Sequence, residues 1–258
     1  MKKLYLSEVK SEVSKHPVTD RGSLTEKDIS VLPEPVKRYL AYCGFLGKPK
    51  MTNARFDWED VHFRRRPDDK GLELECYQFN SVTEPARIVY MRSRIAGLIP
   101  FEGRDKFQNG EGNMLIKLLK FITIDNNKGS EMNISALVTL LSEVLLVPTC
   151  VLQDYIRWVP IDSNTAKAII KFKGTEVSGV FHFNDLGEYI QFDTNDRFQA
   201  AGKAKYKNVS WSVTAGDYIE KGGIKFPTAL TALWHEDYGD FEYFKGRIKN
   251  IEFNVKEV

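Results

Sequence analysis

The stretch Asn133–Val147, NISALVTLLSEVLLV, runs into Pro148 and decides the fold. After Asn133 its hydrophilic side chains are Ser135, Thr139, Ser142 and Glu143. On a helix these four fall on one narrow stripe, and every other face is Ile, Leu, Val or Ala. A helix apolar nearly all round is a buried one, so residues 133–147 are expected to lie within a larger layer. Glu143 then meets a partner or a cavity, because an isolated buried carboxylate is strongly disfavoured. The competing reading makes the stripe the wet side of an amphipathic helix. A wet stripe in a chain this rich in Lys and Glu would carry longer charged residues.

Outward from this helix, the hydrophobic period is two. Phe56 and Trp58 alternate with Asp57 and Glu59. Leu72, Leu74 and Cys76 alternate with Glu73, Glu75 and Tyr77, and Ile88 and Tyr90 with Arg87, Val89 and Met91. Beyond the helix, strands are expected near 154–159, 166–172, 176–183, 189–194, 210–220, 224–235 and 243–255. The turns Asn184-Asp185-Leu186-Gly187, Lys221-Gly222-Gly223 and Asp237-Tyr238-Gly239-Asp240 separate several of them. Such short connections join antiparallel neighbours, and no helices alternate with the strands as a parallel α/β sheet requires. The expectation is an α+β fold: a large curved antiparallel sheet, a half-barrel-like meander, with the apolar helix 133–147 in its concave face. A second helix at 33–43 follows from LPEPVKRYLAYCG, with Pro35 in its first turn, Val36, Tyr39 and Leu40 on one side and Gly44 as C-terminal cap. Residues 1–31 read as a polar N-terminal segment with a short helix at 4–14, and 32–258 as a single domain.

Composition excludes several function classes. With 42% hydrophobic and 28% charged residues and a net charge of +2 in 258 residues, there is no overall electrostatic case for nucleic acid or for an acidic membrane. Cys43, Cys76 and Cys150 have unrelated spacings, which suggests neither a disulfide framework nor a zinc site. No transmembrane segment is expected, since the apolar helix carries three hydroxyls, a Glu and a terminal Pro. No continuous apolar run follows Met1-Lys2-Lys3, so the cytoplasm is the expected location.

The segments LPEPVKRYL (32–40), FEGRDKFQNGEG (101–112), LLSEVLLVPTCVL (140–152), YIRWVPIDSNTAKA (155–168), DRF (196–198), DYIEKGGIKFP (217–227) and TALWHEDYG (231–239) together resemble an uncharacterised family of bacterial proteins, a domain of unknown function. The resemblance spans roughly residues 30 to 255. Its predicted architecture is similar to the lipoprotein-carrier fold, a half-barrel closed by a helix, which implies a hydrophobic ligand by analogy. Arg104, Arg157 and Arg197 lie in or beside the family-like segments and are the expected partners of Glu143.

Other candidates are weaker. His16, His62, His182 and His235 form no HExxH or i,i+4 pair, so no metal is expected. His182 lies between Phe181 and Phe183 and faces away from them, and His235-Glu236-Asp237 reads as a solvated strand end. Gly110-Glu111-Gly112 lacks the third glycine and the strand-to-helix setting of a dinucleotide site. Arg64-Arg65-Arg66 is balanced by Asp68 and Asp69. Of the tryptophans and tyrosines on expected strands, core packing is the ordinary role. A curved sheet with one helix across it also leaves volume for a ligand. The leading expectation is binding of a lipid-like or other apolar small molecule without a cofactor. Glu143 and an arginine, Arg104 or Arg197, would orient the polar head, and Trp158, Trp234 and Tyr218 would line the apolar part. The alternatives are an enzyme using Glu143 as general acid or base at a pKa raised by burial, and a structural or interaction protein with a filled core.

Overall fold

The alternating segments form one continuous antiparallel sheet in the computed structural model, which describes residues 1–95, 97–202 and 205–257. Its first arm holds β1 (Asn53–Phe63), β2 (Leu72–Ser81), β3 (Ala86–Ile95), β4 (Ile99–Gln108), β5 (Glu111–Leu118) and β6 (Ile122–Asn127). The second holds β7 (Ile156–Pro160), β8 (Thr165–Phe172), β9 (Thr175–Phe183), β10 (Tyr189–Thr194), β13 (Trp211–Lys221), β14 (Ile224–Glu236) and β15 (Gly239–Phe253). A separate hairpin, β11 (Phe198–Gly202) with β12 (Lys205–Asn208), interrupts the second arm. The sheet runs β6-β5-β4-β3-β2-β1-β15-β14-β13-β10-β9-β8-β7, curved and unclosed. The arms meet at one seam, where β1 pairs with β15 from Ala54↔Phe253 to Phe63↔Phe244.

The expected strands of the second arm appear within a few residues of their predicted bounds, and the three turns stand where their residues placed them. Reading for period two did not place β4, β5, β6 or the β11–β12 hairpin.

The apolar helix, α4 (Ser130–Ser142), touches β4 and β5 on one arm and β8 and β9 on the other, so it lies across the concave face. It is shorter at its C-terminus than the expected 133–147, which corrects that boundary. Glu143 is its C-cap, and Val144–Leu146 and Pro148–Leu152 continue as 3-10 turns. Pro148 disfavours helical backbone at Val147, and the Tyr39 hydroxyl donates to the Leu145 carbonyl at 3.0 Å, giving that acceptor a partner outside the helix.

Helix α3 (Glu34–Tyr42) matches its expectation. Val36, Tyr39 and Leu40 are fully buried against the interior. Cys43 is the C-cap and Gly44 follows with φ +74°. The Phe45 amide donates to Leu40 and the Gly44 amide to Ala41, both at 3.0 Å, which is a Schellman closure. A Cβ at Gly44 would meet the Gly223 carbonyl oxygen at 2.5 Å, so the position also brings the β13–β14 turn close.

The N-terminal segment contains α1 (Lys2–Lys15) and the short α2 (Glu26–Ile29). Tyr5, Val9 and Val13 of α1 pack on Phe79, Ile88 and Tyr90, on the face of β2 and β3 opposite α4. Alternation along β2 therefore sends Tyr77 and Phe79 outward and Cys76, Gln78 and Asn80 inward. Among the described residues no helix is long and apolar enough to cross a membrane.

Candidate functional site

The polar stripe of α4 faces the interior. Glu143 is 7% exposed. Gln78 Nε2 donates to its Oε2 at 2.7 Å and Asn80 Nδ2 to the same oxygen at 3.0 Å. Arg87 Nε reaches both carboxylate oxygens, at 2.9 and 3.0 Å, and Arg87 Nη1 donates to Asp105 Oδ2 at 2.7 Å. Burial opposes the charge of Arg87, but the adjacent Glu143 and Asp105 carboxylates outweigh it and hold its pKa above the ordinary guanidinium value. The carboxylate is thus paired and hydrogen-bonded, as a buried charge must be.

Beside this network lies a cavity of about 130 Å³. Thr139, Ser142 and Glu143 border it from the helix. Trp58, Met91, Val213, Leu230, Phe244 and their neighbours border it from the sheet. Cys76 also lines it, and burial pushes its thiol up to about 12, so it stays protonated near neutrality.

Three polar atoms around the cavity have no hydrogen-bond partner among the described residues: Gln78 Oε1, Trp58 Nε1 and Arg197 Nε. Gln78 uses its amide nitrogen on Glu143 and on Asn80 Oδ1, at 2.7 and 3.0 Å. That fixes which end is the nitrogen and leaves the carbonyl oxygen as a free acceptor.

Arg197 reaches the cavity from the opposite side to Arg87. Its Nη1 donates to the Ser135 carbonyl at 3.0 Å and to the Thr139 hydroxyl, and its guanidinium carbon stands 4.2 Å from the Trp211 ring centroid and 5.4 Å from that of Trp234. The Ser135 hydroxyl donates to the Phe198 carbonyl at 3.1 Å and accepts from the Phe198 amide at 3.0 Å, which ties the β11–β12 hairpin to the helix.

The expected site residues divide into groups. Glu143 and Arg197 line the same cavity, and Trp234 stands behind it, stacked on Tyr243 at 5.6 Å and on Arg197. Arg104 lies on the opposite face of the sheet under α1, donating to Asn113 Oδ1 at 2.5 Å and 3.5 Å from Glu8. Trp158 borders a separate open groove and donates to the Val151 carbonyl at 3.1 Å. Tyr218 is turned to the Tyr189 carbonyl at 2.9 Å. The guanidinium on Glu143 belongs to Arg87, which corrects the expectation of Arg104, Arg157 or Arg197. Register explains the first of these: Tyr90 and Arg104 are paired on neighbouring strands, and Tyr90 packs outward against Tyr5.

Gln78, Asn80, Arg87 and Asp105 escaped the sequence reading. A signal existed on β2: Leu74 and Cys76 define a face, and two and four residues past Cys76 that face carries Gln78 and Asn80. Amides following apolar residues on an inward register mark a buried polar site.

A second cluster spans the other arm. His235 Nε2 lies 2.6 Å from Ser212 Oγ, and His235 Nδ1 lies 2.7 Å from Asp240 Oδ1. His182 Nε2 lies 2.8 Å from Asp193 Oδ2. The connectivity is that of a Ser-His-Asp relay, but Ser212 donates its proton to Asp193 Oδ1 at 2.5 Å and is 2% exposed. The hydroxyl is directed away from the imidazole that would activate it. These bonds tie β10, β13, β14 and β15 together.

No curated protein matches the chain. The fold is similar to a crystal structure of a LolA superfamily protein from Nitrosomonas europaea. The TM-score is 0.47 at 7% identity, over 84% of this chain and 92% of that one. The family profile described as a family of unknown function, DUF6544, matches residues 22–246, and the chain belongs to that family.

Proposed function

We propose that the protein binds a neutral amphipathic small molecule in the cavity beside Glu143. The observation that carries this reading is the unpartnered Gln78 carbonyl oxygen, on a side chain with no solvent exposure, bordering an otherwise largely apolar space. Leaving a buried acceptor unpaired costs about 1–3 kcal/mol, which a ligand hydroxyl or amide N–H recovers. Trp58 Nε1–H and Arg197 Nε–H offer complementary donors, so the head group both donates and accepts.

Charge balance argues for a neutral head. Glu143 and Asp105 oppose Arg87 and Arg197 around the cavity, leaving no net charge to attract an ion. Volume limits the apolar end. A dry cavity of about 150 Å³ accepts a molecule the size of benzene, so this one takes a group of about six heavy atoms or the tip of a longer chain. The ion network serves as a rigid polar floor for the ligand. Chemistry on the ligand would require a second reactive group, and the thiol at hand, Cys76, is held protonated.

Native mass spectrometry of the protein purified from cells tests this. The expected result is a co-purifying small-molecule mass, absent from a folded Ala232→Phe variant whose new ring fills the space. Bare polypeptide from several expression hosts would sink the reading, as would equal added mass on the filled variant.

A further inference from the structure

Two neighbouring hairpins carry an apolar patch that the ligand reading does not use. Among the described residues thirteen large hydrophobic side chains are exposed, and six of them are Leu98, Ile99, Leu119, Phe121, Ile122 and Ile124. Leu98 and Phe121 are 79% and 73% exposed, at the tips of the β3–β4 and β5–β6 hairpins. The tips are joined: Phe101 pairs with Leu118, and the Leu119 amide donates to the Pro100 carbonyl at 2.9 Å. The patch therefore sits at one corner of the sheet, and β6 is an edge strand. An exposed apolar edge is a site of association unless something covers it.

Charge identifies the cover. The segments 93–101 and 117–124 contain Arg94, Lys117 and Lys120 and no Asp or Glu. Of the nearby acids Glu73, Glu75, Glu102 and Asp125, Glu75 accepts from Arg92 and Glu102 from the Tyr90 hydroxyl. A second copy docked on this corner would set three cations against three, and like charges brought together oppose association. An anionic lipid surface satisfies both parts of the patch: it attracts the cations and takes the protruding tips into its acyl boundary. Hairpin tips suit this better than a flat face, because only their ends need to enter.

We infer that the β3–β4 and β5–β6 hairpin tips dock the protein on anionic membranes, with Leu98 and Phe121 inserted and Arg94, Lys117 and Lys120 at the headgroups. The inference stands apart from the ligand reading and does not require it.

Flotation of the full chain with vesicles of phosphatidylcholine, alone or mixed with phosphatidylglycerol, is the test. Binding is expected on the mixed vesicles and should weaken with added salt. Lys120→Gln should lower it about fivefold, one basic residue near the surface being worth about 1 kcal/mol. The double variant Leu98→Ser/Phe121→Ser, changed only at exposed positions, should lower it at least about tenfold. No preference for phosphatidylglycerol, or undiminished binding by the double variant, overturns the inference. A dimer seen by light scattering and abolished by the same double variant assigns the patch to a second copy and overturns it equally.

Discussion

Glu143 and Arg87 should behave as a coupled pair rather than as two independent contributors. Glu143→Gln leaves Arg87 with Asp105 alone and should cost about 3 kcal/mol, the low end for breaking a buried ion pair. Arg87→Met should cost a similar amount, because Glu143 keeps two amide donors but loses its counter-charge. The double variant Glu143→Leu/Arg87→Met should lose clearly less than the two single losses combined, measured by urea unfolding. Additive losses would show that the pair is not coupled. The sequence made Glu143 legible, because one carboxylate stands out in an apolar helix. It did not make Arg87 legible: on β3 it reads as the outward, polar partner of Ile88, and only the position of the helix reveals that its side of the strand is the inside.

At the scale of elements, helix α4 is seated by a close approach to β5. A Cβ at Gly112 would meet the Met132 carbonyl oxygen at 2.3 Å and the Ala136 Cβ at 2.9 Å. The Gly110-Glu111-Gly112 segment thus has a packing role at its second glycine, where helix backbone lies directly on strand backbone. Gly112→Ala must displace α4 and should destabilise the fold by about 1–3 kcal/mol, the ordinary cost of overpacking. Unchanged thermal stability would mean that the helix shifts freely. The same scale shows why β4 was hidden while β8, β9 and β10 were plain. In β4 the run Arg104-Asp105-Lys106 is charged throughout. Arg104 and Lys106 meet Glu8 of α1 on one face, and Asp105 meets Arg87 on the other. Ion pairs on both faces erase the apolar alternation by which a strand is recognised. β6 carries one short alternation, Ile122-Thr123-Ile124-Asp125, that ends in Asn126 and Asn127, and it is exposed along much of its length.

Across the whole molecule, the two arms are joined in the sheet, among the described residues, by β15 alone, which pairs with β1 on one side and β14 on the other. Ending the chain at residue 238 should therefore abolish cooperative unfolding, because the arms lose their shared hydrogen bonds and α4 loses the continuous concave face on which it is buried. A sharp thermal transition in such a truncated chain, followed by circular dichroism, would contradict this. Strand composition and short turns made the arms and the buried helix readable, since each is a local pattern. The seam was not readable, because Ala54 and Phe253 meet through no local signal. Its consequence falls during synthesis. β1 emerges first and waits for β15 while the residues between Asn53 and Gly239 are added. At about 5–20 residues per second this is roughly 10–40 s. For that interval a nascent chain offers an unpaired edge, and a chaperone that masks β1 until β15 emerges would protect the fold from pairing with the wrong strand.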